Sequence, residues 1–196
     1  MKIATAGQEN LHTPRTLNNA IYADASSTRG LKLDASIQTA VAAYKMITFS
    51  TKASVGFFLK APDTSGNSYH YGLVYIQNLA GTQAGGLNIW TGNMHLEGNG
   101  GGPYGSAYTY TPNAWYWITI LYDAGTGGGT FTIAAYETST WTQVWTATVG
   151  SMGTSAPYIL EFGRQDWSAG EAGTPFLFYF DNFVLDYTNG TFPMLP

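Results

Sequence analysis

The feature that most constrains this chain is a nearly continuous apolar and aromatic run at residues 176–186. Asp181 and Asn182 interrupt it, and Asp186 ends it. A run of this kind is typical of a strand buried on at least one face. Because it lies ten residues from the C-terminus, it has to pair with strands formed much earlier in the chain. This non-local pairing predicts a β-sandwich or barrel that is closed by its last strand.

Composition and spacing favour a single all-β domain. The 196 residues include 24 glycines, aromatic residues make up 15% and charged residues only 10%. Aromatic and β-branched residues favour strands, whereas glycine favours turns. We predict about ten short strands, with a hairpin across the glycine-rich turn at 124–129. The best helical pattern, at 36–46, is interrupted by threonine and valine. The expected architecture is a two-sheet antiparallel jelly-roll sandwich.

Charge is distributed unevenly between the predicted segments. We predict an N-terminal arm or first-strand segment at 1–30, the sandwich at 31–187 and a tail at 188–196. Residues 1–60 hold seven of the eight basic residues and three acids, whereas 61–196 hold one basic residue and nine acids. This asymmetry is either chance or the mark of a basic segment that docks on the acidic body of its own or a neighbouring subunit. The basic residues are too scattered for a nucleic-acid groove.

Other sequence features bear on the compartment. The chain has no cysteine, so neither a disulfide framework nor thiol chemistry is available. The sequence contains no stretch of 18 apolar residues, so it predicts no membrane-spanning helix. The first ten residues lack the apolar region of a signal peptide, so we expect no leader in this chain.

Several motifs occur in a familiar order between residues 27 and 187. They include Trp-Tyr at 115–116 before a strand and Phe-Asp-Asn at 180–182 in the closing strand. This order resembles the concanavalin A-like lectin and glucanase superfamily, with its laminin G-like modules and carbohydrate-binding jelly rolls. The resemblance implies a structural Ca²⁺ between an early glutamate and an aspartate of the closing strand. Glu9 and Asp181 match in kind, and the alternative for Asp181 is a turn or bulge residue.

The resemblance also suggests where a catalytic site would lie. Enzymes of the superfamily carry paired carboxylates on one strand, and the pattern Glu-x-Asp-x-x-Glu does not occur here. Glu161 and Asp166 have opposite parity, so a regular strand directs them to opposite faces. His95 and Glu97 do share a face and form the alternative catalytic pair. Because the sequence has no pair of carboxylates on one strand face with a third partner, we expect no glycosidase or lyase activity.

Period-2 alternation predicts a polar and aromatic sheet face. Alternate residues of three strands point away from the core, and Val74, Ile76, Ile89 and Leu96 point into it. Sugar rings stack on aromatic planes, and their hydroxyls bond to amide and carboxylate groups. The face is either a glycan platform or is covered by the N-terminal segment or a neighbouring subunit. With a loop tryptophan, the candidate glycan-binding residues are Tyr69, Tyr71, Tyr75, Asn88, Trp90, His95, Glu97 and Trp167.

The remaining tryptophans have structural interpretations. Trp115 and Trp117 stand at the start of a strand and are expected to be packing residues. Trp141 and Trp145 are expected to share a face, either as an edge pair that stabilises the sheet or as part of a second exposed patch.

Taken together, these features predict a non-catalytic recognition or coat module. We expect an extracellular or virion-surface protein, either capsid-decorating or tail-associated, because low charge and the lack of a leader suit a protein released by lysis. Its expected partners are glycans or neighbouring subunits, with homo-oligomer or particle assembly. The alternatives are a secreted carbohydrate-binding module and a polysaccharide hydrolase or lyase.

Overall fold

The computed structural model describes residues 20–25, 28–34, 41–46, 51–66, 70–78, 83–98, 103–125, 129–150, 157–165 and 177–186. Within these residues the chain forms strands and turns, and no helix. The strands are β1 (Ala20–Ala25), β2 (Thr28–Asp34), β3 (Val41–Met46), β4 (Lys52–Lys60), β5 (His70–Asn78), β6 (Gln83–Trp90), β7 (Asn93–Gly98), β8 (Pro103–Thr109), β9 (Trp115–Asp123), β10 (Thr130–Glu137), β11 (Thr142–Gly150), β12 (Pro157–Gln165) and β13 (Leu177–Asp186).

These strands form two antiparallel sheets. The seven-stranded sheet has the order β1-β2-β13-β4-β9-β10-β11, and the six-stranded sheet has the order β3-β12-β5-β6-β7-β8. The last strand, β13, lies between β2 and β4, as the apolar run at 176–186 predicts. The hairpin between β9 and β10 is also present. The predicted all-β architecture of two antiparallel sheets is therefore confirmed.

The hydrophobic core lies between the inner faces of the two sheets. Alternation along β4 places Val55, Phe57 and Leu59 in the core, because successive side chains of a strand point to opposite faces. Tyr71 and Phe178 meet across the interface with ring centroids 5.5 Å apart. Burying each such ring contributes about 1.5–3 kcal/mol, so burial between the sheets dominates the stability of the fold.

One edge of the sandwich is closed by an aromatic contact between the sheets. Trp145 on β11 stacks on Tyr108 with centroids 6.5 Å apart, and its Nε1–H donates to the Ser106 carbonyl over 2.8 Å. The expectation that Trp141 and Trp145 share a face is wrong. The register of β11 shifts by one residue opposite Ala135 and Tyr136, so Trp145 turns into the core.

Two other segments form strands. In the best helical candidate, at 36–46, residues 41–46 form β3, which pairs with β12. In the segment predicted as an arm or first-strand segment, at 1–30, β1 begins at Ala20 and pairs with β2, and β2 pairs with β13. Residues 1–19 and the tail at 188–196 lie outside the described residues, so the predicted domain boundaries stay predictions.

Candidate functional site

The candidate site lies on the side of β5, β6 and β7 that faces away from the core. The register aligns His70 with Trp90, Asn88 with His95, and Tyr75 with Gly86 and Glu97. None of these side chains belongs to the core cluster, whereas Val74, Ile76, Ile89 and Leu96 all do. The predicted alternation is therefore confirmed for these four core residues. We call this surface the β5–β7 outer face, defined by His70, Tyr75, Asn88, Trp90, His95 and Glu97.

A β-bulge decides which residues of β5 reach this face. Tyr71 is opposite Ile89 and Val74 is opposite Leu87, so one extra residue is inserted between Gly72 and Val74. An inserted residue reverses the alternation on one side of it. Tyr71, predicted to point outward, is therefore in the core. His70 takes the outward position that the unbroken alternation assigns to its neighbour.

Three rings form an aromatic row across the outer face. The ring centroids of His70 and Trp90 are 4.2 Å apart, and those of Trp90 and His95 are 5.8 Å apart. All three side chains are partly exposed. This row is therefore the part of the outer face that a ligand can reach. The sequence reasoning missed His70; a glycine inside the β5 pattern, Gly72, is the signal that could have indicated the bulge.

Beside this row lies a buried hydrogen-bond network. Oε2 of Glu97 accepts from the Tyr75 hydroxyl over 3.0 Å and from Nδ2 of Asn88 over 2.7 Å. Tyr75, Asn88 and Glu97 are only 1%, 5% and 7% exposed. These three candidate residues are therefore buried and not open to solvent, whereas the aromatic row is partly exposed. Their arrangement suits them to support the aromatic row rather than to form its outer surface.

Two glycines make room for the tyrosine of this network. A Cβ at Gly72 would overlap the Tyr75 hydroxyl, and a Cβ at Gly86 would overlap the Tyr75 ring and lie 2.5 Å from the Val74 carbonyl oxygen. The ring therefore lies flat over two strands, and this position brings its hydroxyl to Glu97.

The buried part of the outer face also contains unused hydrogen-bond acceptors. Nε2 of His95 and Oδ1 of Asn88 are buried without a hydrogen-bond partner in the described structure. Burial is the main cause that lowers the pKa of His95 below 6.5, and repulsion from His70 lowers it further, whereas a hydrogen bond to the Trp90 backbone opposes both. At neutral pH His95 is therefore uncharged. With its other nitrogen on that backbone group, Nε2 is an acceptor that lies buried beneath the aromatic row.

The turn after Trp90 fixes the end of the aromatic row. Thr91 and Gly92 have positive φ values of 45° and 74°, which a two-residue hairpin turn requires. The Gly92 N–H donates to Oγ1 of Thr64 over 3.0 Å, and that hydroxyl lies 3.0 Å from the Tyr110 hydroxyl. This buried chain of hydrogen bonds attaches the hairpin to the loop after β4, so the row is held on a rigid support.

The geometry offers little for glycoside hydrolysis. Such enzymes use two carboxyl groups about 5–9.5 Å apart. Across the sheet from Glu97, the residues aligned by register are Gly86 on β6, Tyr75 on β5 and Glu161 on β12. Glu161 is therefore the next acidic residue in this direction. Three strand spacings separate the backbones of Glu97 and Glu161, which is about 14 Å. Oε2 of Glu97 is also engaged by two donors, the Tyr75 hydroxyl and Nδ2 of Asn88.

The remaining predicted site residues have separate outcomes. Tyr69, Trp167 and Glu9 lie outside the described residues. Asp181 is buried on β13 opposite Phe58. A Ca²⁺ ion takes six to eight oxygen ligands, and no group of three acidic or histidine side chains converges among the described residues. These residues alone do not supply a ligand set, so Ca²⁺ binding between Glu9 and Asp181 stays a prediction.

Comparisons with known proteins identify the fold. No protein-family model matches the sequence, and no curated protein was found to be similar to it. A botulinum neurotoxin type C structure superposes with a TM-score of 0.61 over 88% of this chain at 10% identity, and cell entry of that toxin is described as dependent upon interaction with two ganglioside molecules. The neurotoxin DC binding domain in complex with rat synaptotagmin II gives 0.62 over 92% at 12% identity. The type G receptor-binding domain gives 0.58 over 90% at 13% identity.

These similarities concern architecture. This chain spans 42%, 43% and 43% of the length of the three structures, so it corresponds to less than half of each. At such low identity the superpositions show a shared β-sandwich fold and give no residue-by-residue correspondence. The type DC and type G structures are described as a binding domain and a receptor-binding domain. Among the described residues of this chain, no helix is of a length and hydropathy that would cross a membrane.

Proposed function

We propose that this chain is a non-catalytic binding module whose β5–β7 outer face binds a glycan. The observation that carries the proposal is the aromatic row of His70, Trp90 and His95 beside a carboxylate–amide network. Trp90 offers an indole ring for stacking a sugar ring, and the His70 and His95 rings pack against it at tilts of 36° and 43°. Similar solved structures that are binding domains support the general class.

The rigid support of the row favours binding without a large rearrangement. Glu97 holds Tyr75 and Asn88 in place, and the Thr91–Gly92 turn holds the end of β6. A pre-ordered aromatic surface loses little conformational entropy when a ligand binds. A glycan would stack on Trp90 beside the half-buried His95 ring.

The wider setting extends the proposal. We place the module, as a concanavalin A-like jelly roll, on a virion as a capsid-decorating or tail-associated protein, because its low charge and its content of glycine, threonine and tyrosine suit an exposed coat. A secreted carbohydrate-binding module is the alternative. Electron microscopy of particles labelled with an antibody against the chain distinguishes the two, since a secreted module leaves particles unlabelled.

The glycan proposal is tested by a glycan array followed by titration calorimetry on the best-bound oligosaccharide. Trp90→Ala should weaken binding by about 1–3 kcal/mol, the range expected for a stacking aromatic residue. Trp90→Phe keeps a ring and should retain part of the affinity. Gln143→Ala, an exposed position on the other sheet, is the matched control and should bind as the parent does. Unchanged binding by Trp90→Ala would refute the assignment of this face.

Catalysis is tested separately. Incubation with β-glucan and alginate should release no new reducing ends and no unsaturated products. Turnover that disappears in Glu97→Gln would overturn the non-catalytic assignment and identify His95 and Glu97 as a catalytic pair.

A further inference from the structure

A second aromatic surface covers the outer side of the seven-stranded sheet. The ring of Phe58 contacts Trp115, Trp117 and Trp141 edge-on, with centroid distances of 6.5, 4.9 and 6.1 Å. None of these four residues belongs to the core between the sheets. Trp115 and Trp117 are therefore packing residues, but they pack on the outside of the sheet. We call this surface the β4–β9 outer face, defined by Phe58, Lys60, Trp115, Trp117, Trp141 and Tyr179.

The backbone at Trp141 is unfavourable for a tryptophan. Its φ is 55°, in the left-handed region that glycine and asparagine tolerate and other L-residues disfavour. The turn requires this conformation, because the Trp141 N–H donates to the Glu137 carbonyl over 2.8 Å. The side chain is still 39% exposed, the one large hydrophobic side chain so exposed in the described part of the chain. Strain of this kind is frequent at ligand-binding positions.

A lysine completes this surface. Nζ of Lys60 lies 5.9 Å from the Trp115 ring centroid and 5.5 Å from that of Tyr179. In the described residues the ion pair is Lys52 with Asp123, and no carboxylate pairs with Lys60. Lys60 and Phe58 are two residues apart on β4, so their side chains point to the same face and their Cα atoms are about 7 Å apart. The lysine charge is thus held over the Trp115 and Tyr179 rings, on the same outer face as Phe58, whose ring contacts Trp141, and it is available to an anion.

We propose that the β4–β9 outer face is a second binding site, which takes an acidic saccharide. A pyranose ring stacks on the exposed plane of Trp141, and a sugar carboxylate pairs with Lys60.

The size of the exposed surface favours a saccharide over a protein partner. A standard protein interface buries roughly 800 Å² on each partner around several anchoring side chains. Here one indole is the large exposed anchor, and the neighbouring rings of Trp117 and Phe58 are buried or half-buried. One exposed indole and one cation on the same outer face match the stacking faces and the carboxylates of an oligosaccharide of uronic acids.

The probe is a galacturonic acid tetrasaccharide, compared with its methyl ester, which keeps the ring shapes and removes the charge. Calorimetry should show the acid binding about tenfold tighter than the ester. Trp141→Asn suits the left-handed turn and removes the indole, and it should weaken binding of the acid by about tenfold or more. Trp141→Tyr should keep most of the affinity. Lys60→Gln should make acid and ester bind equally.

Two control variants separate this site from the first one. Thr91→Asn makes the same kind of turn substitution in another hairpin and should bind the acid as the parent does. Trp90→Ala should also bind it normally, which keeps this result independent of the β5–β7 outer face. If Trp141→Asn does not fold, the ratio of acid to ester affinity in Lys60→Gln decides the question.

The proposal is overturned if the acid does not bind, if the ester binds as tightly as the acid, or if Trp141→Asn binds normally. It is also overturned if sedimentation shows a dimer of the parent that Trp141→Asn converts to a monomer. In that case the surface would be an interface between two copies of this chain.

Discussion

Substitution of Gly86 by alanine adds a single methyl group beneath the Tyr75 ring and so tests how tightly that ring packs under the β5–β7 outer face. The new Cβ would overlap the Tyr75 ring and would lie 2.5 Å from the Val74 carbonyl oxygen. Carbon atoms in good contact are about 3.5–4.0 Å apart. The ring would have to move by roughly 1 Å or more, and the backbone carbonyl has little freedom to move with it.

The expected cost combines two effects. Overpacking a well-packed site costs about 1–3 kcal/mol. Moving the ring also weakens the 3.0 Å hydrogen bond from the Tyr75 hydroxyl to Glu97, and hydrogen bonds to charged groups contribute about 1.5–3 kcal/mol. Because the ring can keep part of that bond, we expect a total destabilisation of about 2–4 kcal/mol. For a chain of this size this lowers Tm by roughly 5–15 °C.

Urea denaturation followed by tryptophan fluorescence measures this change, with calorimetry for Tm. Gly150→Ala is the matched control, because a Cβ there meets nothing within 4 Å, and its stability should stay within about 0.5 kcal/mol of the parent. In a Tyr75→Ala background the ring part of the Gly86→Ala cost should disappear, which gives a coupling energy of about 1 kcal/mol or more. A Gly86→Ala protein as stable as the parent would refute the placement of Tyr75 over Gly86.

Three further predictions address other parts of the same face. Thr91→Asn should raise stability by about 0.5–1 kcal/mol, because asparagine tolerates the positive φ that threonine disfavours; a Tm below that of the parent would contradict this. Glu97→Gln should cost about 1–3 kcal/mol in urea denaturation, because Tyr75 and Asn88 lose a charged acceptor; Glu137→Gln, on the other sheet, is the control and should change little. The folded-state pKa of His95 lies below 6.5, so as pH falls below about 6.5 the unfolded chain binds the proton first and stability declines. His95→Gln should show a smaller loss between pH 7.5 and 5, and parallel curves for both proteins would exclude this role of His95.

Prediction from the sequence worked best where a strand is regular. In β6 and β7 the alternation correctly assigned Ile89 and Leu96 to the core and directed Trp90 and His95 outward, since the period of two is a property of the extended backbone itself. It failed in β5, where a bulge beside Gly72 reverses the alternation and exchanges Tyr71 for His70. It failed again in β11, where a register shift opposite β10 places Trp145 in the core. A bulge depends on how two strands pair, so single-strand alternation does not contain it.

By itself, the sequence determined the all-β class, the late closing strand and the aromatic character of the outer faces, because composition and local periodicity are properties of the chain. The tertiary structure alone decided which of those residues a ligand can reach. Tyr75, Asn88 and Glu97 alternate outward as predicted, yet they are buried in a network that the pairing of three strands assembles. Phe58 and Trp141 are distant in sequence and meet only because the packing brings β4 beside the turn between β10 and β11. Burial and contact between distant strands result from packing of the whole chain, and no local pattern encodes them.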